Sequence, residues 1–380
     1  MSVTLPYITD NFDSGNIRVL DASDPENIAL EIKQDKDSDF YQWFHFKLHN
    51  TAHIKHVMHI KNAGQAAYVE GWDDYQAVAS YDREHWFRVP TSYDGQTLTI
   101  TFIPEHDSVY FAYFAPYSYE RHQDLIHSAQ HHLDCQMQVL GQTIDGRDIT
   151  LLQVGEVAEG KKSIWLTARQ HPGETMAEWF MEGFIDRLLD EDDGAARALL
   201  NKAVFYLVPN MNPDGSYRGH LRTNANGVNL NREWQQPSIE NSPEVYYVRQ
   251  KMVETGVDMH LDIHGDEALP YNFVSGCEGV PAWDDKMHQL QEQFKATLLA
   301  ITPEFQDDKG YDIDEPGQAN LTVASNWVGN NFNCLAYTVE MPFKDNILLP
   351  DEIVGWNDGR SALLGRDTLS AIYQIVDDLR

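Results

Sequence analysis

Cysteine is scarce in this chain of 380 residues, with Cys135, Cys277 and Cys334 as its three examples. Because they are scattered and odd in number, a disulfide framework is not expected. None lies near the metal-binding motifs described below, so a structural zinc site closed by thiolates is not expected either. We predict three reduced thiols in a cytoplasmic protein, serving as small core residues.

Long apolar runs and basic residues are also lacking. No stretch of about 18 apolar residues occurs, which predicts no transmembrane helix, and residues 1–13 lack the pattern of a secretory signal. Lysine and arginine number 28 against 59 aspartates and glutamates, for a formal net charge of −31. Since nucleic acids and anionic membranes bind basic surfaces, neither is an expected partner. The composition does not predict an oligomeric state.

Short apolar or alternating segments, separated by turn signals, fill the first third of the chain. Examples are residues 39–48, 56–60, 97–103 and 108–114. Several short strands with this spacing predict an all-β antiparallel sandwich, which we assign to residues 1–120.

Beyond a predicted helix at 118–129, strands alternate with helices. We predict strands at 136–140, 149–154, 163–168, 203–208, 257–263 and 335–341, and helices at 176–189, 242–255, 284–301 and 361–379. The pattern predicts an α/β domain over residues 121–380, with a mixed twisted sheet covered by helices.

His171 and Glu174 lie in the turn between strand 163–168 and helix 176–189. An α/β sheet normally carries its chemistry at such strand ends, and Thr175 is the predicted N-cap of the helix. A histidine and a glutamate three residues apart can both reach one metal ion, although the pair alone is a weak signal.

A second histidine, His264, follows strand 257–263 and strengthens the metal interpretation. Two histidines and one carboxylate leave the fourth position of a zinc ion open for water, as in catalytic sites. The helix-borne His-Glu-x-x-His motif does not occur in the chain. We therefore predict one catalytic zinc ion per chain.

Two further groups of residues carry possible chemistry, each with an ordinary alternative. Glu340 lies within the apolar strand 335–341, where a carboxylate is costly unless it is salt-bridged or functional. Beside a zinc-bound water it would be a general base. Asn231 and Arg232 place an amide beside a guanidinium, which suits a carboxylate ligand, although such a pair is more often a surface feature.

Together these stretches resemble the zinc carboxypeptidases related to carboxypeptidase A. The resemblance rests on His171-Pro172-Gly173-Glu174, Asn212-Pro213-Asp214-Gly215, Asn231-Arg232, His264 and Glu340, in this order. Residues 42–46 and 110–119 are similar to the β-sandwich that precedes the catalytic domain in the cytosolic carboxypeptidases. The resemblance therefore covers nearly the whole chain.

The resemblance implies an activity and a role for each residue. It implies hydrolysis of the C-terminal peptide or isopeptide bond of a peptide or protein. The implied zinc ligands are His171, Glu174 and His264, and the implied general base is Glu340. Arg222 would polarise the scissile carbonyl, while Asn231 and Arg232 would hold the terminal carboxylate of the substrate.

Two departures from the family pattern affect what to expect. The family usually has an aspartate where this chain has Asn229, and a neutral amide raises the basicity of the first zinc histidine less. The cytosolic branch usually has an arginine that binds acidic substrates where this chain has Asn320. With Asn320 and Ser325 in the pocket, we expect neutral C-terminal residues to be cleaved at least as well as glutamate, unless Arg249 or Arg360 enters.

Three points stay open at this level. Tyr311 is a candidate for the tyrosine that closes over substrate in carboxypeptidase A. A zinc amidohydrolase acting on N-acyl amino acids would share the two histidines and the glutamate. A non-catalytic binding protein of the same fold is the third alternative, which the intact ligands and base argue against.

Overall fold

The structure is a computed structural model that describes residues 5–380. The first four residues, part of the segment considered above for a secretory signal, lie outside the described residues. Among residues 5–380 we find no helix with the length and hydropathy that a membrane crossing requires.

The first part of the described chain forms two five-stranded sheets. Its strands are β1 Tyr7–Thr9, β2 Arg18–Asp21, β3 Ile28–Glu31, β4 His45–His49, β5 His56–Ile60, β6 Val78–Ser80, β7 Phe87–Arg88, β8 Thr91–Tyr93, β9 Leu98–Phe102 and β10 Ser108–Ala112. The sheet orders are β1-β4-β10-β6-β7 and β2-β3-β5-β9-β8. The predicted sandwich is confirmed, with β3 and β5 as a parallel pair within it.

Alternation along the strands explains why the two sheets pack face to face. In β5, for example, His56, Met58 and Ile60 are buried, whereas Val57 and His59 are half-buried. Successive side chains of a strand point to opposite faces, so every second residue enters the core between the sheets.

The second part is built on a seven-stranded mixed sheet, which confirms the predicted α/β architecture. Its strands are β11 Cys135–Gln142, β12 Asp148–Val154, β13 Lys162–Ala168, β14 Ala203–Val208, β15 Met259–Asp266, β16 Phe273–Ser275 and β17 Leu335–Pro342. The order is β11-β12-β14-β13-β15-β17-β16. The four middle strands are parallel to one another, and the strands at both edges join antiparallel.

Helices cover both faces of this sheet. They are α1 Tyr119–Ala129, α2 Met176–Leu188, α3 Gly194–Lys202, α4 Pro213–Arg218, α5 Pro243–Thr255, α6 Asp285–Ile301, α7 Ala324–Phe332 and α8 Asp358–Ile375. Along β13, Ile164 and Leu166 join the core under α2 and α8, whereas Trp165 joins the core under α5 and α7. Parallel strands buried on both faces are expected to be apolar throughout, as β14 is.

The sandwich and the α/β part share one hydrophobic core cluster. Tyr113, just after β10, stacks on Phe343, just after β17, with ring centroids 4.5 Å apart. Arg88 of the sandwich donates to the backbone oxygens of Phe343 and Trp356 at 2.9 and 2.8 Å. The division of the chain at residue 120 stays a prediction.

The structure departs from the predicted elements in places where side chains act on the backbone. The strand expected at 39–48 begins only at His45. Just before it, the side-chain amide of Gln42 bonds both backbone groups of Tyr68 in a neighbouring loop. Thr175 lies at the N-cap of α2 but forms no capping bond. Its hydroxyl donates instead to the backbone oxygen of Ala115, at 2.8 Å.

Helices α3, α4 and α7 were missed. The sequence of α7, Ala-Ser-Asn-Trp-Val-Gly-Asn-Asn-Phe, contains poor helix formers, and its helix is stabilised by burial against the sheet. The three cysteines are buried and free, as predicted.

Candidate active site

The proposed site lies where parallel strands end at one edge of the sheet. The turn after β13 carries His171 and Glu174, and β15 carries His264 near its end. In the parallel register between β15 and β17, His264 is directly paired with Glu340. The fold thereby brings together residues that are up to 169 positions apart in the chain (340 − 171).

A cavity of about 680 Å³ opens over this edge. It is lined by residues of both parts of the chain, including Tyr68, Glu70, His171, Glu174, Arg222, Asn231, Arg232, His264, Asp266, Glu267, Tyr311, Asn320, Ser325 and Glu340. Every residue assigned a role from the sequence therefore borders the cavity, except Asn229, which lies behind His171.

The three predicted metal ligands converge on one point. The Nδ1 atom of His171 is 2.6 Å from Glu174 Oε1, and the Nδ1 atom of His264 is 2.7 Å from Glu174 Oε2. The two Nδ1 atoms are 3.2 Å apart. All three side chains are buried, and they form a group of the size that could hold a metal ion.

The far sides of the two imidazoles show why this donor set suits zinc. His171 Nε2 lies 3.1 Å from Asn229 Oδ1, and His264 Nε2 lies 2.7 Å from Asp262 Oδ2. When each Nε2 carries the proton and donates it outward, both Nδ1 lone pairs face the Glu174 carboxylate. Neutral imidazoles whose outer nitrogens are hydrogen-bonded are the usual partners of a carboxylate in catalytic zinc sites.

The electrostatics of the cluster favour a positive charge at its centre. Burial lowers the pKa of His171 to about 4, so its imidazole is neutral at physiological pH. Burial also opposes charge on His264, but the carboxylates of Asp262 and Glu174 together raise its pKa well above the usual value. The carboxylates around His264 thus stabilise a cation, either a proton or a metal ion.

Asp262 is a site residue that the sequence interpretation missed. Its carboxylate accepts from Thr167 Oγ1 at 2.7 Å and from Gln170 Nε2 at 2.5 Å, besides holding His264. The signal was present, because residues two apart in a strand share one face of the sheet. Asp262 supplies for His264 the support that neutral Asn229 supplies for His171.

Glu340 has the environment of a reactive carboxylate and not that of a salt bridge. It is 5% exposed, and its Oε1 is 3.2 Å from the hydroxyl of Tyr311. Its Oε2 has no hydrogen-bond partner among residues 5–380. Burial raises the pKa of Glu340 well above its usual value.

Tyr311 brings a hydroxyl to the same point, 2.7 Å from Asp266 Oδ2. About half of its surface is exposed, and the residue lies on the long loop between α6 and α7. This position is consistent with the role considered for it from the sequence.

The cavity is lined by Arg222, which is expected to polarise the scissile carbonyl, and by Asn231 and Arg232, which are expected to hold the terminal carboxylate. Arg222 has its Nη1 4.0 Å from Glu174 Oε1. Asn231 accepts from the backbone nitrogen of Ala324 at 2.8 Å, which fixes its amide. Arg232 donates to the backbone oxygen of Asn231 at 2.6 Å, and no carboxylate within the described residues pairs with it. Its guanidinium is therefore available to an anionic ligand.

The predicted pocket residue Asn320 lines the cavity, whereas the basic residues at its outer end are not the ones considered from the sequence. Asn320 borders it, with its Oδ1 held by Thr322. Arg249 and Arg360 do not line it: the first donates to backbone oxygens of residues 234 and 235, and the second pairs with Glu304. The basic residues that do line it there, Lys295 and Lys309, were not anticipated.

Comparison with known proteins agrees with this geometry. Residues 8–114 match the family described as "cytosolic carboxypeptidase N-terminal domain", and residues 123–357 match "zinc carboxypeptidase". The chain is 27% identical to cytosolic carboxypeptidase 6 of Caenorhabditis elegans, over 88% of this chain and 78% of that protein.

Two solved bacterial structures superpose over almost the whole chain. A metallo-carboxypeptidase of Pseudomonas aeruginosa, in complex with (2-guanidinoethylmercapto)succinic acid, is 50% identical with a TM-score of 0.96, over 98% of this chain and 100% of that chain. A metallo-carboxypeptidase of Burkholderia cenocepacia is 47% identical with a TM-score of 0.96, over 98% and 99%.

The hydrogen bonds from the two histidines to Asn229 and Asp262 lead to a first prediction. Replacing Asp262 by Asn removes the charge behind His264 and should weaken zinc binding by about 10- to 100-fold. The reverse change behind the other histidine, Asn229→Asp, should tighten it. Both affinities can be measured by competition with a chromogenic chelator.

Asp258→Asn is the matched control, because Asp258, just before β15, accepts from the backbone nitrogen of Ser163 in β13, at the end of the strands away from the cluster. Equal zinc affinity in wild type and Asp262→Asn would show that the carboxylate does not support a metal ligand.

Proposed function

This chain belongs to the zinc carboxypeptidase family and is therefore a peptide hydrolase, and we propose that it releases the C-terminal residue of peptides or proteins. One observation carries the proposal. Within residues 5–380, the same cavity contains a convergent His-Glu-His cluster, a buried Glu340 oxygen without a hydrogen-bond partner, and an Arg232 guanidinium that no carboxylate pairs with.

We propose one zinc ion per chain, held by His171, Glu174 and His264. Zinc would supply a water of pKa near 7 and a positive charge beside the scissile carbonyl. Glu340 takes a proton from the attacking water and delivers it to the leaving amine, as a general base and then a general acid. Arg222 donates to the carbonyl oxygen as negative charge develops there.

Binding of the terminal carboxylate gives the enzyme its direction. Arg232 offers two parallel N–H donors to a carboxylate, and the amide nitrogen of the neighbouring Asn231 lies 3.5 Å from His264 Nε2. The hydroxyl of Tyr311 is the further donor near Glu340. We propose a cytoplasmic location, in line with the free cysteines and with the names of the relatives.

The base can be tested directly. Glu340→Gln should retain zinc and lose about 10²-fold or more in kcat, because the amide cannot accept the proton. Turnover of a C-terminally free peptide and zinc content are measured on the same preparation. A variant with full zinc and near wild-type kcat would remove Glu340 from the mechanism. Turnover of N-acyl amino acids but not of peptides would favour the amidohydrolase alternative.

The direction of cleavage rests on Arg232. Arg232→Ala should cost about 2–5 kcal/mol in kcat/KM for a peptide with a free C-terminus, the range for removing one partner of a charged pair. Amidating the C-terminus of the peptide should lower the kcat/KM of wild type by a similar amount, and should lower that of Arg232→Ala only slightly. Arg249→Ala is the matched control, because its guanidinium bonds backbone oxygens outside the cavity. Equal cleavage of free and amidated peptides would indicate an endopeptidase.

The lining of the cavity bears on the side chain that is removed. Its carboxylates outnumber its basic groups, and the acidic residues are Glu70, Glu174, Asp266, Glu267, Glu278, Asp307, Asp308, Asp312, Asp314 and Glu340. Glu278 accepts from the Gln291 amide and has no cationic partner among the described residues. Lys295, by contrast, is already paired with Glu292 and Asp307.

We therefore propose that basic and neutral C-terminal residues are preferred over glutamate. Screening at physiological salt limits charge effects to about 8 Å, so the groups in the cavity matter more than the net charge. The compound in complex with the Pseudomonas relative carries a guanidino group besides its carboxylic acids, which supports a ligand that combines a cation with carboxylates.

Three peptides that differ only in the last residue test this preference. We expect kcat/KM for Lys to equal or exceed that for Leu, and both to exceed that for Glu. Glu278→Gln should reduce the advantage of Lys. A preference for Glu above about tenfold, or 1.4 kcal/mol, would overturn the proposal and would show that Lys295 or Lys309 reaches the substrate.

A further inference from the structure

The carboxylate of Asp35, in the sandwich, accepts hydrogen bonds from the loop that carries Arg222. Asp35 is 2% exposed and lies between β3 and β4. It accepts from the backbone nitrogens of Leu221, Arg222 and Thr223 at 2.6, 2.8 and 2.9 Å, and from Thr223 Oγ1 at 3.0 Å. A single side chain therefore orients three consecutive peptide units, almost two hundred residues further along the chain.

Neighbouring contacts hold the same loop from both ends. At its start, Asn16 donates to the backbone oxygen of Gly219 at 2.9 Å, and the backbone nitrogen of Lys36 donates to His220 Nε2 at 3.1 Å. At its far end, Gly227 is pressed against the sandwich, where an added Cβ would lie 2.4 Å from the backbone oxygen of Asp37. The loop is thus held by residues of the sandwich at both of its ends.

The guanidinium of Arg222 is guided by the sandwich as well. Its Cζ lies 5.3 Å from the ring centre of Tyr68 and 5.7 Å from that of Phe40. These two rings and the Asp35 bonds leave the guanidinium directed at the metal cluster, with Nη1 4.0 Å from Glu174. Leu221, at the centre of the loop, also accepts from the backbone nitrogen of Gly173 in the metal-binding turn, at 2.9 Å.

We propose that the sandwich is a working part of the active site and that Asp35 is a positioning residue for Arg222. The proposal rests on the function proposed above, in which Arg222 stabilises the carbonyl oxygen. If Asp35 served only to join the two parts of the chain, its loss would reduce stability and leave the chemistry of the folded enzyme intact. If it positions Arg222, its loss reduces turnover through Arg222.

A double-mutant cycle separates these two roles. Asp35→Asn, Arg222→Ala and the double variant are compared with wild type for kcat, KM, zinc content and thermal stability. Misplacing a catalytic group by about 1 Å can cost up to 10²-fold, so we expect Asp35→Asn to lower kcat at least tenfold with little change in KM or zinc content. In the Arg222→Ala background the same change should lower kcat no further.

Two further variants serve as a control and as a second test of the positioning role. Asp82→Asn is the control, because Asp82 also accepts from backbone nitrogens within the sandwich, at residues 84 and 85, and has no contact with the cavity; its kcat should equal that of wild type. Thr223→Val removes one of the four bonds to Asp35 and should lower kcat several-fold. It provides the test of the positioning role if Asp35→Asn does not fold.

Each outcome decides one statement. The positioning role of Asp35 would be overturned if the kcat of the double variant fell by the product of the two single losses. An unchanged kcat in folded Asp35→Asn or Thr223→Val would overturn it as well. An unchanged kcat in Arg222→Ala would instead overturn the role proposed for Arg222, and the inference with it.

Discussion

Burial of the Glu174 carboxylate between two imidazoles is the constraint on which the rest of the site depends. Its two oxygens face the Nδ1 atoms of His171 and His264 at 2.6 and 2.7 Å. Without a positive charge between them, a buried carboxylate and two nitrogen lone pairs would repel one another, and the desolvation of the carboxylate would cost several kcal/mol. Asn229 and Asp262 hold the rings by their outer nitrogens, so neither ring can relieve the repulsion by turning away. The cluster therefore requires a cation.

The fold meets this constraint with elements that are distant in sequence. Parallel pairing of β15 with β17 places His264 opposite Glu340, so the base is set by the same register that sets a ligand. The turn after β13 brings the other two ligands to the same edge of the sheet, as the parallel pairing of β13 with β15 requires. The sandwich completes the cavity by contributing Tyr68 and by holding the loop that carries Arg222. Residues of the sandwich part and of the α/β part thus line one cavity.

Prediction from the sequence succeeded where the signal was local. The strand-turn-helix pattern around His171 and the apolar strand that carries Glu340 are recorded in adjacent residues, and β14 was predicted at its observed bounds. The roles of His171 and Glu340 stay predictions. Asp35 gave no such signal, because a carboxylate in a polar loop looks like a solvated one until the loop at 221–223 is known to lie against it. The same is true of Gln42, whose side-chain amide bonds the backbone of Tyr68, 26 residues further along the chain. Contacts between residues far apart in sequence decide these cases, and local propensity carries no information about them.

The asymmetry between Asn229 and Asp262 follows from the charge that the cavity already contains. A divalent ion balances two carboxylates, and Glu174 with Asp262 supplies two. Glu340 and Glu267 lie beside them, and burial raises the pKa of both, with the charge of Glu174 adding to the effect. An aspartate at position 229 would bring a further negative charge and raise the pKa of Glu340 again. A general base works best when its pKa lies near the operating pH. The neutral amide therefore gives up some support for His171 and avoids a further rise in the pKa of Glu340.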